Sequence, residues 1–466
     1  MDNKKPLSNR AKNLYGISDF GFSFMANIEN FFWMYYMINV AKFPMAGIAL
    51  ANSVAYTLDA FAQPVYAALI SALKPMKWGK NRSYILLFPP LVSISFILCF
   101  SNIGPTSFAL FLCGLMMFVT NGTRTMTWTS NLNMMNVLAS DSNERSTLAS
   151  RRATWTSAAG IIYSYAVLPN ITRLQQTMDE KYVFTLLAAL TSIFYAITCW
   201  ISYWATAGSE ATGEEAKAQG SNQMNMITLP DLVKSVFQNP PLLTILVGAI
   251  ISSVFTSAVS TATTYYYIYV MDYKYYPMQL LATAIVGTFA SYFSGWAGRT
   301  FGNRNAVLIG QAGTVLSNVV IGLFFAYTNP IAMIVVMCIA RVFSSFSMAN
   351  MQALYGDCVV YARWKTGKDT SALVMGSQTI PIKIGLTLRG VVVPIILSMV
   401  NFDASIAPAD ATMELKRGIV IMLRWLPAIG TTIYSIILFF GFRMLNREKV
   451  EQMQLEINER EAAAQA

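Results

Sequence analysis

The 466-residue sequence has no histidine. That absence excludes a histidine proton relay, a His-ligated zinc site and a Ser-His-Asp triad. Cysteine is scarce and scattered. Cys99, Cys113, Cys199, Cys338 and Cys358 stand singly in apolar runs, without the close pairs that a metal site or disulfide framework needs. Charge is scarce too: Asp, Glu, Lys and Arg make up 12% of the chain, against about a quarter in soluble domains. A soluble protein this poor in charge has too little polar surface to cover itself. What is present instead is 55% hydrophobic and 13% aromatic residues, with a mean hydropathy of +0.46. The chain belongs in a lipid bilayer. Its first twelve residues are basic and polar, with no short apolar stretch and cleavage site behind them, so a removable signal peptide is not expected.

About 20 mostly apolar residues cross a bilayer. Twelve such runs occur, at residues 14–40, 45–73, 83–101, 106–137, 153–170, 183–206, 240–270, 277–297, 305–327, 331–358, 372–400 and 418–442. An even number places both termini on one side. With the N-terminus inside, 22 of the 33 basic residues fall in inner segments, and only Lys42, Arg173, Lys181, Lys274, Lys416 and Arg417 fall in outer loops. The positive-inside rule then predicts cytoplasmic termini. Most of the net charge of +10 is thereby a topology signal, and no nucleic-acid partner is implied.

The long connection at 207–239 contains Gly208 to Gln223, polar and rich in Gly and Ala, as a flexible linker is. It divides the chain into a six-span bundle at 1–206, a linker at 207–239, a second six-span bundle at 240–442 and a tail at 443–466. This is the layout of a two-bundle secondary transporter. An internal repeat supports it. Trp78-Gly79-Lys80-Asn81-Arg82 after span 2 and Phe301-Gly302-Asn303-Arg304-Asn305 after span 8 lie 223 residues apart, and Arg145 and Lys368 begin a second similar pair of segments at the same offset.

Charge at bilayer depth costs about 2.5–3.5 kcal/mol per residue on insertion scales, so such residues are candidate functional groups. Eight lie well inside the spans: Asp19, Glu29, Asp59, Arg124, Arg341, Lys383, Arg389 and Arg424. Arg424, close to Arg417, is expected to snorkel to the outer surface. Helical spacing puts Asn52, Tyr56, Asp59 and Gln63 on one face of span 2. It does the same for Asn121, Arg124, Trp128 and Asn131 in span 4, for Asp19, Ser23, Asn27 and Asn30 in span 1, and for Arg341, Ser345 and Gln352 in span 10. Four wet faces imply a shared aqueous cavity, or else polar glue between packed helices. Span 7 is rich in hydroxyls from Ser252 to Thr264 before Tyr265-Tyr266-Tyr267, and Pro381 in span 11 predicts a kink beside Lys383.

Several segments resemble the glycoside-pentoside-hexuronide:cation symporter family, the melibiose-permease group of the major facilitator superfamily. They are Tyr15-Gly16-Ile-Ser-Asp19-Phe20-Gly21, Asp59-Ala-Phe-Ala-Gln63-Pro64, Trp78-Gly79-Lys80-Asn81-Arg82, Asn143-Glu144-Arg145 before Arg152, and Tyr355-Gly356-Asp357 before Trp364-Lys365-Thr366-Gly367-Lys368. The resemblance implies an all-α membrane protein with twelve transmembrane helices in two six-helix bundles, the major facilitator fold. It implies uptake of a sugar or sugar derivative driven by Na+, Li+ or H+, with no other cofactor and no enzymatic activity. A bacterial inner-membrane location and a monomer are the defaults for such a carrier.

Carried over residue by residue, Asp59 matches the family's first cation-site carboxylate, with Asn52 on the same face, while the second carboxylate corresponds to Gln63. One lost carboxylate weakens a site for Na+, which leaves proton coupling or a cation-independent carrier open. Lys383 matches the lysine that couples cation and sugar sites. The acidic sugar-binding positions correspond to Ser23 and Arg124. A guanidinium where the family has a carboxylate suggests an anionic sugar such as a hexuronide, glucuronide or sulfonated sugar. In that reading Arg124 pairs the anion, aided by Arg341 and Lys383. Trp128 stacks on the ring, and Asn121, Asn27, Asp19 and Ser23 line the site. Arg145, Arg152, Asp357 and Lys365 form cytoplasmic gate contacts. A neutral glycoside or pentoside, with Arg124 held by Asp19 or Glu29, is the alternative. A membrane enzyme and a non-transporting sensor are more distant ones.

Overall fold

The computed structural model describes residues 8–72, 76, 78–138, 142–210, 239–366, 374, 377–403, 406–445 and 447–465. Most of the predicted linker lies outside the described residues. The described residues are almost entirely helical, and they include no strand longer than a single isolated bridge between Met76 and Gly79. The chain packs as two units, Met1–Met226 with Asp403–Ser405, and Ile227–Phe402 with Ile406–Ala466.

The first unit contains α1 (Ile17–Tyr35), α2 (Met45–Ala72), α3 (Lys80–Cys99), α4 (Thr106–Leu138), α5 (Ser142–Ala166) and α6 (Glu180–Ala205). The second contains α7 (Pro240–Thr256), α8 (Tyr275–Phe301), α9 (Asn303–Val320), α10 (Pro330–Thr366), α11 (Thr379–Met399) and α12 (Leu426–Gly441), followed by a surface helix over Arg447–Gln465. Among the described residues, nine of the helical stretches are long and apolar enough to cross a membrane. Those of α1, α5 and α8 are not in that set. α1 carries Asp19 and Glu29, α5 carries Arg151 and Arg152, and α8 is rich in Tyr, Ser, Thr and Gly.

Each unit repeats one packing scheme. α1 lies on α5 and α6, α2 on α4, and α3 on α4 and α6; in the second unit α7 lies on α11 and α12, α8 on α10, and α9 on α10 and α12. Gly79 and Gly302, the matched residues of the loop repeat, have φ values of 104° and 78° immediately before α3 and α9. Glycine adopts such a φ without a Cβ clash. The arginines that follow also play one role. Arg82 donates to Tyr203 O at 3.1 Å and lies 4.3 Å over the Tyr203 ring; Arg304 donates to Phe439 O at 2.5 Å and lies 5.2 Å over the Phe439 ring. A further echo sits at a different offset: Tyr35-Tyr36-Met37-Ile38-Asn39-Val40 and Tyr265-Tyr266-Tyr267-Ile268-Tyr269-Val270 each end in a π-helical turn.

Three sequence expectations change. Pro381 occupies the first turn of α11, where backbone N–H groups have no intrahelical acceptor, so it kinks nothing there; the proline within the helix is Pro394. Arg424 does not snorkel. It is buried, donating to Asn318 Oδ1 at 3.2 Å and Met337 Sδ at 3.1 Å. The hydroxyl-rich seventh span is interrupted between Thr256 and Val259, where Ser257 and Ala258 separate two helical pieces. Its Ser253, Thr256 and Ser257 hydroxyls bond back to carbonyls of their own helix, the local competition that bends helices.

Candidate functional site

The start of α1 is a knot of polar contacts within the first unit. At Gly16 a Cβ would come within 2.9 Å of Arg152 Cα, so only glycine lets α5 approach this closely. The approach brings the Arg152 guanidinium onto Asp19 as a fork: Nη2 donates to Oδ1 at 2.7 Å and Nε to Oδ2. Tyr15 donates to Asn131 O, Asn131 Nδ2 reaches Ser18 Oγ at 2.7 Å, and Ser202 Oγ bonds Tyr15 O at 2.8 Å. The first segment of the family resemblance is therefore a clasp joining α1, α4, α5 and α6. Asp19 and Arg152, assigned to substrate and gate from the sequence, are partners of each other. Asn131 belongs to the clasp rather than to a wet face.

About two to three turns further along these helices, α1, α2 and α4 bring together a second ion pair. Arg124 Nη1 donates to Glu29 Oε2 at 2.6 Å, with side chains 12% and 4% exposed. Arg124 Nη2 donates to Asn121 Oδ1 at 2.8 Å, and Tyr56 donates to Glu29 Oε1 at 2.5 Å. Asn121 and Arg124 thus share a face, as their spacing of three predicts. Among the described residues, Arg124 commits two of its five N–H donors to hydrogen bonds. Its guanidinium also lies 5.3 Å over the Phe22 ring, which stacks on Trp128 at 6.2 Å. Trp128 is 38% exposed. Neither its indole N–H nor the side chains of Ser23 and Asn27, half-buried on α1, make a hydrogen bond within the described residues. An arginine beside an aromatic shelf and uncommitted polar groups can hold a sugar ring and pair an acidic substituent. Glu29 and Phe22 were not assigned to the site from the sequence. The sequence offers Glu29 as an intraspan charge and, beside Asp19, as a possible partner of Arg124 in the neutral-glycoside alternative; the pair forms with Glu29, 95 residues away.

The candidate cation residues lie on α2. Asp59 is fully buried, and Asn52 accepts from Trp33 Nε1 at 3.3 Å. The side chain of Gln63 lies outside the described residues, as does that of Arg145. Among the described residues no cluster of three acidic or thiol groups has the arrangement of a metal site.

In the second unit, the Arg341 side chain packs against Gly287 of α8 and makes no ion pair or hydrogen bond among the described residues. Lys383 is half-buried near the start of α11. Asp357 lines a cavity of about 660 Å³ with Asn303, Arg299, Arg304, Arg443 and Glu451. Lys365 is exposed, 5.7 Å over the Tyr361 ring.

The family described as MFS/sugar transport protein matches residues 14–445. The chain is 22% identical to the glucuronide carrier protein homolog of Escherichia coli (strain K12) over 97% of its own length and 96% of the relative's. It is 21% identical to the isoprimeverose transporter of Lactiplantibacillus pentosus over 94% and 89%. The crystal structure of the nucleoside transporter NupG superposes with a TM-score of 0.66 at 12% identity, covering 94% of this chain and all of that one, which shows the major facilitator fold. The chain belongs to the MFS/sugar transport family, and the resemblance read from its motifs is borne out. It is a multi-pass membrane transporter, not an enzyme.

Proposed function

We propose that this member of the MFS/sugar transport family takes up a sugar derivative bearing a negative charge, coupled to a cation, across a bacterial inner membrane with both termini in the cytoplasm. The observation that carries the reading is the group at Arg124: a guanidinium with uncommitted donors beside the open Trp128 shelf, with Ser23 and Asn27 free to bond hydroxyls. Arg124 pairs the acidic group and Trp128 stacks on the ring. The glucuronide named for one relative carries such an acidic group. Asp59 and Asn52 provide the coupling-ion site, and Lys383 answers its occupancy. No further cofactor is required, and the working unit is a monomer.

A specific observation favours a second reading. Glu29 already neutralises Arg124 at 2.6 Å, which suits a neutral glycoside such as the isoprimeverose named for another relative. Uptake into proteoliposomes separates the two. With imposed Na+ or H+ gradients, methyl glucuronide is expected to enter and methyl glucoside to be excluded, and Arg124→Ala abolishes entry. Equal uptake of both sugars, unaffected by Arg124→Ala, overturns the anionic reading.

A further inference from the structure

A cluster of three arginines in the second unit has no part in that scheme. Arg299 lies in the last turn of α8, Arg304 in the first turn of α9, and Arg443 just after α12. All three line the cavity of about 660 Å³ at this end of the bundle, which is within the size range of small-ligand sites. None of them makes an ion pair among the described residues. We propose that this cavity seats the headgroup of an anionic glycerophospholipid, a phosphodiester such as that of phosphatidylglycerol, from the membrane leaflet at this end of the protein.

The matching loop of the first unit already holds an anionic group. There the Glu210 carboxylate accepts from the backbone N–H groups of Asn81 and Arg82 at 3.0 Å, and a Cβ on Gly79 would come within 2.4 Å of its Oε2. At the repeat offset of 223 residues the same positions are Gly302, Arg304 and Asn305, and all three line the cavity. Among the described residues nothing lies within 4 Å of the place a Gly302 Cβ would take. The seat that a carboxylate of the chain fills in the first unit therefore faces the cavity in the second, with guanidiniums around it. A phosphodiester oxygen suits such a seat, because it accepts from backbone N–H groups and from arginine alike.

The surroundings favour a lipid over a free phosphate ester. Arg443 lies 4.9 Å over the Phe439 ring and 5.4 Å over that of Phe440, and Arg304 lies 5.2 Å over Phe439. Phe440 is 63% exposed and stands in the last turn of a stretch long and apolar enough to cross a membrane. Phe301, which also lines the cavity, packs edge-on against Trp296, and both rings are exposed. The arginines thus rim an apolar surface that faces acyl chains, the place where basic side chains attract anionic headgroups. Charge then selects among headgroups. Asp357 and Glu451 line the same cavity, so its three cationic and two anionic side chains leave one net positive charge. A singly negative phosphodiester matches that charge, and the carboxylates are acceptors for the hydroxyls at the far end of a glycerol headgroup. A zwitterionic headgroup leaves the charge unmatched. In the orientation proposed above the leaflet is the cytoplasmic one, and the site itself does not depend on that orientation.

The test uses the full-length protein in detergent and native mass spectrometry. Phosphatidylglycerol, phosphatidylethanolamine and phosphatidylcholine with the same acyl chains are added one at a time, and the Kd of the first bound lipid is read. Phosphatidylglycerol should bind tightest. Arg299→Gln and Arg443→Gln, both at exposed positions, should each weaken it about fivefold, the worth of one basic residue beside an anionic lipid, with phosphatidylcholine binding unchanged. Arg151→Gln, an equal loss of charge from an exposed position of the first unit, should leave phosphatidylglycerol binding as it is. Glycerol 1-phosphate at the lipid's own concentration should not displace it. Equal binding of the three lipids by the wild type overturns the proposal without any variant. An Arg151→Gln loss as large as that of Arg443→Gln shows diffuse surface attraction and overturns it too. Displacement by an equal concentration of glycerol 1-phosphate gives the cavity to a free phosphate ester and overturns the lipid. None of these measurements involves a sugar or an ion gradient, so failure here leaves the transport reading standing.

Discussion

The two units share a packing scheme, but the arginines inside their spans have different partners among the described residues. In the first, Arg152 is forked onto Asp19 and Arg124 is paired with Glu29. In the second, Arg424 is buried against Asn318 and Met337, and the more exposed Arg341 lies beside Gly287, with no carboxylate partner for either among the described residues. Duplicated helix packing therefore does not carry duplicated electrostatics. The first unit thus places a carboxylate on each of these two guanidiniums. In the second, Arg341 and Arg424 keep their positive charge with no carboxylate beside them among the described residues, which suits attracting an anion but is costly where the group is enclosed, as Arg424 is.

The largest effects should come from breaking the balance in the first unit. Arg152→Met leaves Asp19 buried with no counter-charge, a change worth about 3–5 kcal/mol in comparable buried pairs. A strongly lowered Tm in detergent is expected. Arg124→Met should cost a similar amount, whereas the double variant Glu29→Leu with Arg124→Met should regain most of that stability, because no lone charge remains. Stability restored with transport still lost would separate the folding role of the pair from its transport role. A double variant as unstable as the single one would show that Arg124 serves Asn121 and Phe22 more than Glu29.

A smaller effect tests a second asymmetry. Glu210 accepts from the backbone N–H groups of Asn81 and Arg82 and from Asn81 Nδ2, at 2.7–3.0 Å, and so caps α3. No acidic side chain is seen bonded in this way to the first turn of α9 among the described residues. Glu210→Ala should cost about 1–2 kcal/mol, the range of lost helix caps. The thermal shift should be readable against that of Glu451→Ala, whose side chain lines the cavity at α9. Equal shifts for both variants would erase this difference between the units.

Much of the architecture is legible in hydropathy, because a bilayer demands long apolar runs and loops must hold the remaining charge. The Gly79 and Gly302 loops are legible as a repeat since a positive φ restricts the residue type. Spacing along one helix places Asn121 with Arg124, because neighbours three apart meet on a helix face. It does not find Glu29 for Arg124 or Arg152 for Asp19, since those pairs depend on how α1 meets α4 and α5. Nor does it separate Asn131, consumed by Tyr15 and Ser18, from Trp128 on the same stripe. Pro381 misleads for a related reason: the apolar run begins before the helix does, so a proline that looks internal sits in the first turn.

The smallest expected effect is the one that tests the second unit. Arg424 lies in the π-helical turn Ile421–Trp425, which packs on the π-helical turn Ile321–Phe325, and its Nε has no partner among the described residues. Replacing it by Met removes a desolvated guanidinium, which is a gain, and strands the Asn318 amide oxygen, a loss of about 1 kcal/mol. The two terms oppose each other. Arg424→Met should therefore change stability by no more than about 1 kcal/mol in either direction, far less than Arg152→Met, although Arg424 is the more enclosed of the two. If thermal unfolding instead shows the two variants falling together, Arg424 has a counter-charge as essential as Asp19 is to Arg152, and the contrast between a balanced first unit and a positively biased second one fails.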